Sequence, residues 1–213
     1  MKIVKRSVEL INPPTYKDLL TIFNTAARNC YRSESGETNN IESEEKMARF
    51  LLKNGHLSTM EHNNIAVKII ADRAFMGQIT RHRIASFSIE SMRYCNYSLD
   101  KFDNQINVIE PYDIQTEYNK NYNKWWKYGC EQAELSYFKL LKQGVKPETA
   151  RSVLPQCTAT SIVMSTNIRE WRHILELRCD EHAQPDMRDI MNILLEKLYN
   201  LYPAFFADLY EIK

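Results

Sequence analysis

The chain has 213 residues, 44% hydrophobic and 26% charged, with 28 basic and 27 acidic side chains and a formal net charge of +1. That length suits one domain able to bury roughly 70% of its unfolded surface, and the balanced charge argues against a protein that grips nucleic acid by bulk electrostatics. No apolar run is long enough to cross a bilayer, and Met1-Lys2-Ile3-Val4-Lys5-Arg6 turns charged too early for a signal peptide, so a cytoplasmic protein with no membrane partner is predicted.

Residues 2–11 alternate weakly up to Pro13-Pro14 and predict a strand followed by a turn. Leu19, Leu20, Ile22, Phe23, Ala26 and Ala27 make a helical stripe over residues 15–31. Residues 33–40 are polar and read as a loop. A second helix begins at Ser43, runs through Met47, Phe50, Leu51 and Leu52, and stops at Asn54-Gly55. Residues 64–71 are β-rich. Asp72 then caps a short helix carrying Phe75, Met76 and Ile79, which runs into Arg81-His82-Arg83.

Residues 114–143 predict a long, mostly helical segment with Trp125, Trp126, Leu135, Phe138, Leu140 and Leu141, whose aromatics read as core rather than as a stacking platform. Pro147 opens a short helix that Pro155 ends; residues 157–166 form a strand, and 168–178 and 186–202 form helices. Three or four strands among helices, with no internal repeat, predict a single α+β domain over residues 1–213. Five cysteines (Cys30, Cys95, Cys130, Cys157, Cys179) are scattered without a C-x-x-C pair, as expected for reduced thiols.

Chemistry concentrates in residues 81–93, where Arg81, His82, Arg83 and Arg93 stand against the single acid Glu90, with Ser88 and Ser91 among them. Guanidinium forks grip phosphate and carboxylate oxygens through paired hydrogen bonds, so an anionic ligand would relieve their mutual repulsion. A charge cluster by itself reads as a solvated helix end. If the helix persists, Gln78 and Arg81 share one face, Phe75, Ile79 and His82 a neighbouring one, and Arg83 points elsewhere, enough for two ligands. His82 alone would read as a histidine packed beside Phe75 and Ile79. The five glycines never fall at nucleotide-loop spacing, so side chains must hold any nucleotide.

Two other stretches carry polar chemistry. Gly55-His56-Leu57-Ser58-Thr59-Met60-Glu61-His62 offers two histidines and a glutamate, but not at metal-ligand spacing, and no metal is predicted. Arg169 and His173 lie at i and i+4 of one helix, facing the same ligand or the same solvent. Arg151, at the end of a short helix, reads on its own as surface charge.

The order Arg81-His82-Arg83, seven residues, Ser91, then Arg93-Tyr94 resembles the signature of the flavin-dependent thymidylate synthases. The segment 55–62 is similar to that family's Gly-His, Ser/Thr, Glu-His block. Asn167-Ile168-Arg169, His173, Leu177-Arg178 and His182-Ala183-Gln184 resemble its C-terminal block. The likeness covers roughly residues 50–190, the first helices and residues 95–145 carrying little of it.

The resemblance implies a small, mainly antiparallel sheet flanked by helices, and a homotetramer with active sites shared between subunits. It implies conversion of dUMP to dTMP, with 5,10-methylenetetrahydrofolate giving the carbon and FADH2, regenerated by NADPH, the hydride. FAD contacts fall on Ser58, Arg81, His82, Arg83, Ile89, Asn167, Arg169 and His173. Nucleotide contacts fall on Gln78, Arg81, Glu90, Ser91, Arg93 and Arg151, and Arg178 holds and activates the pyrimidine. Carbon 5 of uracil is a poor nucleophile, and an arginine beside N3 and O2 stabilises the developing anion.

Three departures stand out: Thr59 where proline is common, Ser88-Ile89 where many members have Asn-Glu, and His173 for a common asparagine. They predict altered ligand geometry rather than lost activity. Ser91 reads as a phosphate-binding hydroxyl rather than a nucleophile, since no histidine neighbours it in sequence.

Two rival readings exist. Leu154-Pro155-Gln156-Cys157 faintly resembles the cysteine nucleophile segment of flavin-free thymidylate synthases but lacks its second proline and its histidine, so Cys157 reads as a packed thiol. Arg81, Arg83 and Arg93 beside Phe87 and Tyr94 would suit a nucleic-acid-binding module, whose mark is steeply salt-dependent binding without flavin.

Overall fold

A computed structural model describes residues 1–32, 40–116 and 120–211. The predicted loop at 33–40 therefore lies outside the described residues except for Asn40. The chain runs β1 (Lys2–Val4), β2 (Ser7–Ile11), α1 (Tyr16–Tyr31), α2 (Ile41–Lys53), β3 (Asn64–Asp72), α3 (Arg73–Ile79) and β4 (Ser86–Ile89). It continues through β5 (Asn107–Ile109), α4 (Tyr112–Thr116), α5 (Lys120–Lys142), α6 (Pro147–Ala150), β6 (Ala159–Asn167), α7 (Ile168–Arg178), α8 (Pro185–Leu201) and α9 (Pro203–Glu211). Short 3₁₀ turns occupy Leu57–His62 and Arg151–Val153.

Strands β2-β3-β6-β4 form, in that order, a small, mainly antiparallel sheet within an α+β fold. Along β3, Ile65, Val67, Ile69 and Ala71 are fully buried, and along β6 Ile162 and Met164 are, the period of two that a pleated strand imposes. The strand predicted over residues 2–11 is two strands. At Lys5-Arg6 the chain leaves the first line, the Arg6 guanidinium donating to the Glu110 carbonyl at 2.7 Å. β1 pairs in parallel with β5, Ile3 opposite Val108, while β2 joins the larger sheet.

Side-chain caps set the helix starts. Thr15 accepts from Asp18 N at 3.2 Å, Asn40 from Glu42 N at 3.0 Å, Asp72 from Phe75 N at 2.7 Å and Asn167 from Glu170 N at 2.9 Å. Asn40 thus caps α2, whose first residue, Ile41, lies two before the predicted Ser43.

The chain divides into two compact units. Unit 1 is Met1–Ser7, Ile69–Arg81 and Phe87–Val163; unit 2 is Val8–Lys68, His82–Ser86 and Met164–Lys213. The core of unit 1 gathers Tyr97, Ile106, Val108, Cys130, Tyr137 and Ala150, with the Tyr97 and Tyr137 rings 5.9 Å apart. Residues 114–143 are helical over 114–116 and 120–142, with 117–119 outside the described residues, and their apolar side chains are not all core. Tyr137 is buried, but Trp125 is 70% exposed and Leu135 47%, because α5 buries only one stripe and these two lie off it.

In unit 2, Phe23 meets Phe205 edge-on at 5.2 Å, and buried Trp171 donates its indole N–H to the Ile65 carbonyl at 3.0 Å. Deleting such a side chain costs about 3–5 kcal/mol. α9, missed in sequence, buries Phe205 and Phe206 here, Tyr202 and Pro203 having masked the restart of the helix.

Candidate active site

The helix leading to the Arg-His-Arg ends sooner than predicted. α3 stops at Ile79; Thr80 caps it with its hydroxyl on the Met76 carbonyl at 2.9 Å, and Arg81 N bonds the Gln78 carbonyl at 3.2 Å in a final tight turn. Arg81, His82 and Arg83 therefore do not fan from a helix. Arg81 closes one chain segment of unit 1, and His82 opens a segment of unit 2. Strand β4, unforeseen in sequence, follows because the β-branched and aromatic residues Phe87 and Ile89 alternate with serines.

In unit 2 the buried hydroxyl of Thr166 on β6 donates to the Ile84 carbonyl and pins this segment. His82 is only 7% exposed. Its Nε2 accepts from Arg178 Nε at 3.0 Å, bringing together residues 96 apart in sequence. Its Nδ1 lies 3.8 Å from a Glu170 carboxylate oxygen, and its ring meets that of His173 edge-on at 6.2 Å. Burial, then the positive charge of Arg178, then His173 push the imidazole pKa from 6.5 down to about 4, so the ring is neutral near pH 7.

A cavity of about 580 Å³ in the same unit is lined by Leu57, Met60, Glu61, Ile84, Asn167, Arg169 and His173, among others. Arg169 and His173 thus face one space, as their helical spacing predicts. Arg169 pairs with Glu61 at 2.5 Å, both half-exposed. Asn167 spends its side-chain oxygen on the α7 cap. Ser58 is exposed on the 3₁₀ turn whose neighbours Leu57, Met60 and Glu61 line the cavity, and Arg83 is exposed beyond His82. Thr59, at the common proline position, is buried with its hydroxyl on the His56 carbonyl at 3.3 Å.

Unit 1 holds Gln78, Arg81, Ile89, Glu90, Ser91, Arg93 and Arg151. Three of them converge. Arg93 Nε pairs with Glu148 Oε2 at 2.8 Å, Arg151 Nε donates to the Glu148 carbonyl at 3.1 Å, and Ser91 Oγ accepts from Arg93 N at 3.3 Å. Glu90 is already engaged: its carboxylate accepts from the Tyr97 hydroxyl at 2.9 Å, and its carbonyl from Arg73 at 3.0 Å. Ile89 is half-buried on β4, and Gln78 and Arg81 sit on α3 and just past its end.

The acidic partners Glu61, Glu148 and Glu170 were not read as site residues. Glu148 sits in the first turn of a proline-started helix, where acids are ordinary helix-dipole partners, and nothing in sequence marks it otherwise. Among the described residues no cluster of histidine, cysteine, aspartate and glutamate could hold a metal ion.

The family described as thymidylate synthase complementing protein matches residues 15–204. Over 144 residues the chain is 39% identical to a flavin-dependent thymidylate synthase of Thermococcus onnurineus, covering 66% of this chain and 56% of that protein, little more than half its length. Over 172 residues it is 34% identical to the flavin-dependent thymidylate synthase of Pyrococcus abyssi, covering 79% and 68%. The crystal structure of a UMP/dUMP methylase from Streptomyces cacaoi bound with 5-Br dUMP is similar in fold, with TM-score 0.78 over 97% of this chain and 96% of that one at 22% identity. By its sequence from end to end of the matched region, the chain belongs to the flavin-dependent thymidylate synthase family.

Proposed function

We propose that this chain methylates dUMP at carbon 5 to give dTMP, taking the methylene group from 5,10-methylenetetrahydrofolate and releasing tetrahydrofolate. Bound FAD, reduced by NADPH, supplies the hydride in that chemistry. The observation that carries the reading is the 3.0 Å contact between Arg178 and His82, since two motif fragments matched separately in sequence meet in space.

The residues present fit the cofactor. The cavity beside Asn167, Arg169 and His173 mixes donors with carboxylate acceptors, as ribose hydroxyls, phosphate and a flavin ring edge require. Ser58, Arg81, His82, Arg83 and Ile89 complete the FAD contacts in this reading. Arg93, Arg151 and the Ser91 hydroxyl hold the nucleotide phosphate, with Gln78, Arg81 and Glu90 supporting the nucleotide. Arg178 binds the pyrimidine and stabilises negative charge developing at N3 and O2, a donor worth about 3 kcal/mol or on the order of a hundredfold in rate. The working enzyme is a cytoplasmic homotetramer whose subunits share sites.

An absorption spectrum of the purified protein, before and after NADPH and with dUMP present, tests the cofactor. Conversion assays on Arg178→Ala test the chemistry. A colourless protein that neither takes up FAD nor makes dTMP, or near-normal turnover in Arg178→Ala, overturns the reading.

A further inference from the structure

Arginine 178 ends α7 with four rotatable side-chain bonds, and such a group gives up rotamer entropy whenever it is held in one pose. Here its Nε–H is held by a partner that is itself fixed. His82 is buried, its backbone is pinned through the bond from Thr166 to the Ile84 carbonyl, and its ring packs edge-on to His173. Because guanidinium is planar, fixing the Nε–H direction fixes the plane in which the two terminal nitrogens lie.

We propose that His82 is the positioning residue for Arg178: its Nε2 lone pair accepts the Arg178 Nε–H and sets the orientation in which the guanidinium meets the pyrimidine. The proposal rests on the reading of Arg178 as the pyrimidine-activating group. An accepting Nε2 places the ring proton on Nδ1, and Glu170, 3.8 Å away and largely buried, is the carboxylate that favours that tautomer. Glu170 is held in turn at the capped first turn of α7, where Asn167 binds its amide. A second proton would turn Nε2 into a donor and break the contact. Burial, Arg178 and His173 all oppose that proton, and Glu170 is the acidic group at 3.8 Å that favours it.

A double-mutant cycle tests this. His82→Leu, assayed at saturating FAD because His82 is also among the proposed FAD contacts, should lower kcat by up to about a hundredfold, the cost of an angstrom-scale misplacement, with a far larger loss in kcat than in KM for dUMP. In the Arg178→Ala background the same change should cost almost nothing further. His82→Gln, whose side-chain oxygen reaches the place of Nε2, should recover most of the rate, and His82→Asn, one bond shorter, should not. A readout without turnover is the NMR titration of His82, which should move upward in Arg178→Ala. Independent costs that multiply, a kcat fully restored by saturating FAD, or an unmoved titration overturns the proposal while Arg178 keeps its role. Near-normal turnover in Arg178→Ala instead sinks the underlying reading, and this proposal with it. Should His82→Leu fail to fold, the contrast between Gln and Asn decides.

Discussion

Arg93 and Glu148 form a 2.8 Å ion pair across 55 residues of sequence, and the same glutamate's carbonyl holds Arg151. The two arginines assigned to the nucleotide phosphate thus converge on one acidic residue, whose carboxylate must yield Arg93 to an incoming anion. Glu148→Gln should tighten dUMP binding by at most about fivefold, since an exposed pair is worth 0.2–1 kcal/mol. Arg93→Ala should weaken it. Calorimetric titration with dUMP at low and high salt measures both; unchanged or tighter binding in Arg93→Ala would contradict the assignment.

The pair between Arg169 and Glu61 beside the cavity has the same logic for the cofactor. Arg169→Ala should reduce the flavin retained through gel filtration, by about tenfold in affinity for a charge-assisted contact. Glu61→Gln should retain flavin at least as well as the parent. A full flavin complement in Arg169→Ala would remove that arginine from the cofactor site.

Acid should destabilise the protein through His82. Its folded pKa is about 4 against 6.5 unfolded, so between those values the unfolded chain binds the extra proton. Stability from this group is therefore complete above pH 6.5 and falls as pH drops toward 4, by on the order of 2–3 kcal/mol. Urea midpoints of the parent and His82→Gln from pH 4 to 7 check this; equal slopes in the two proteins would refute it.

The Cys157 sulfur lies 3.5 Å from that of Cys130. The hydrogen bond to Cys130 and burial push its thiol far up, away from the thiolate a nucleophile needs. Cys157→Ser should keep turnover within about twofold, whereas loss of a true nucleophile costs orders of magnitude. A dead Cys157→Ser protein that folds normally would revive the flavin-free mechanism.

Local chemistry was readable where it declares itself in a few adjacent residues. The Asp72 cap, the Asn54-Gly55 stop and the β-rich run of β3 each follow from short-range rules, and each appears. The end of α3 did not announce itself, because Thr80 and Arg81 are acceptable helix residues and only the cap geometry stops them. Trp125 misled for a different reason: apolar content along α5 says nothing about which side faces the unit's core. The motif fragments located the cations. Their acidic partners were hidden, since Glu61 and Glu148 acquire meaning only when folding brings distant arginines to them.

Asn167 carries one consequence for ligand choice. With its oxygen engaged in capping α7, the hydrogen-bonding capacity left to its amide is chiefly its two N–H donors, on a residue that lines the cavity. A ligand group with lone pairs, a carbonyl or a ring nitrogen, suits those donors better than one that offers only protons.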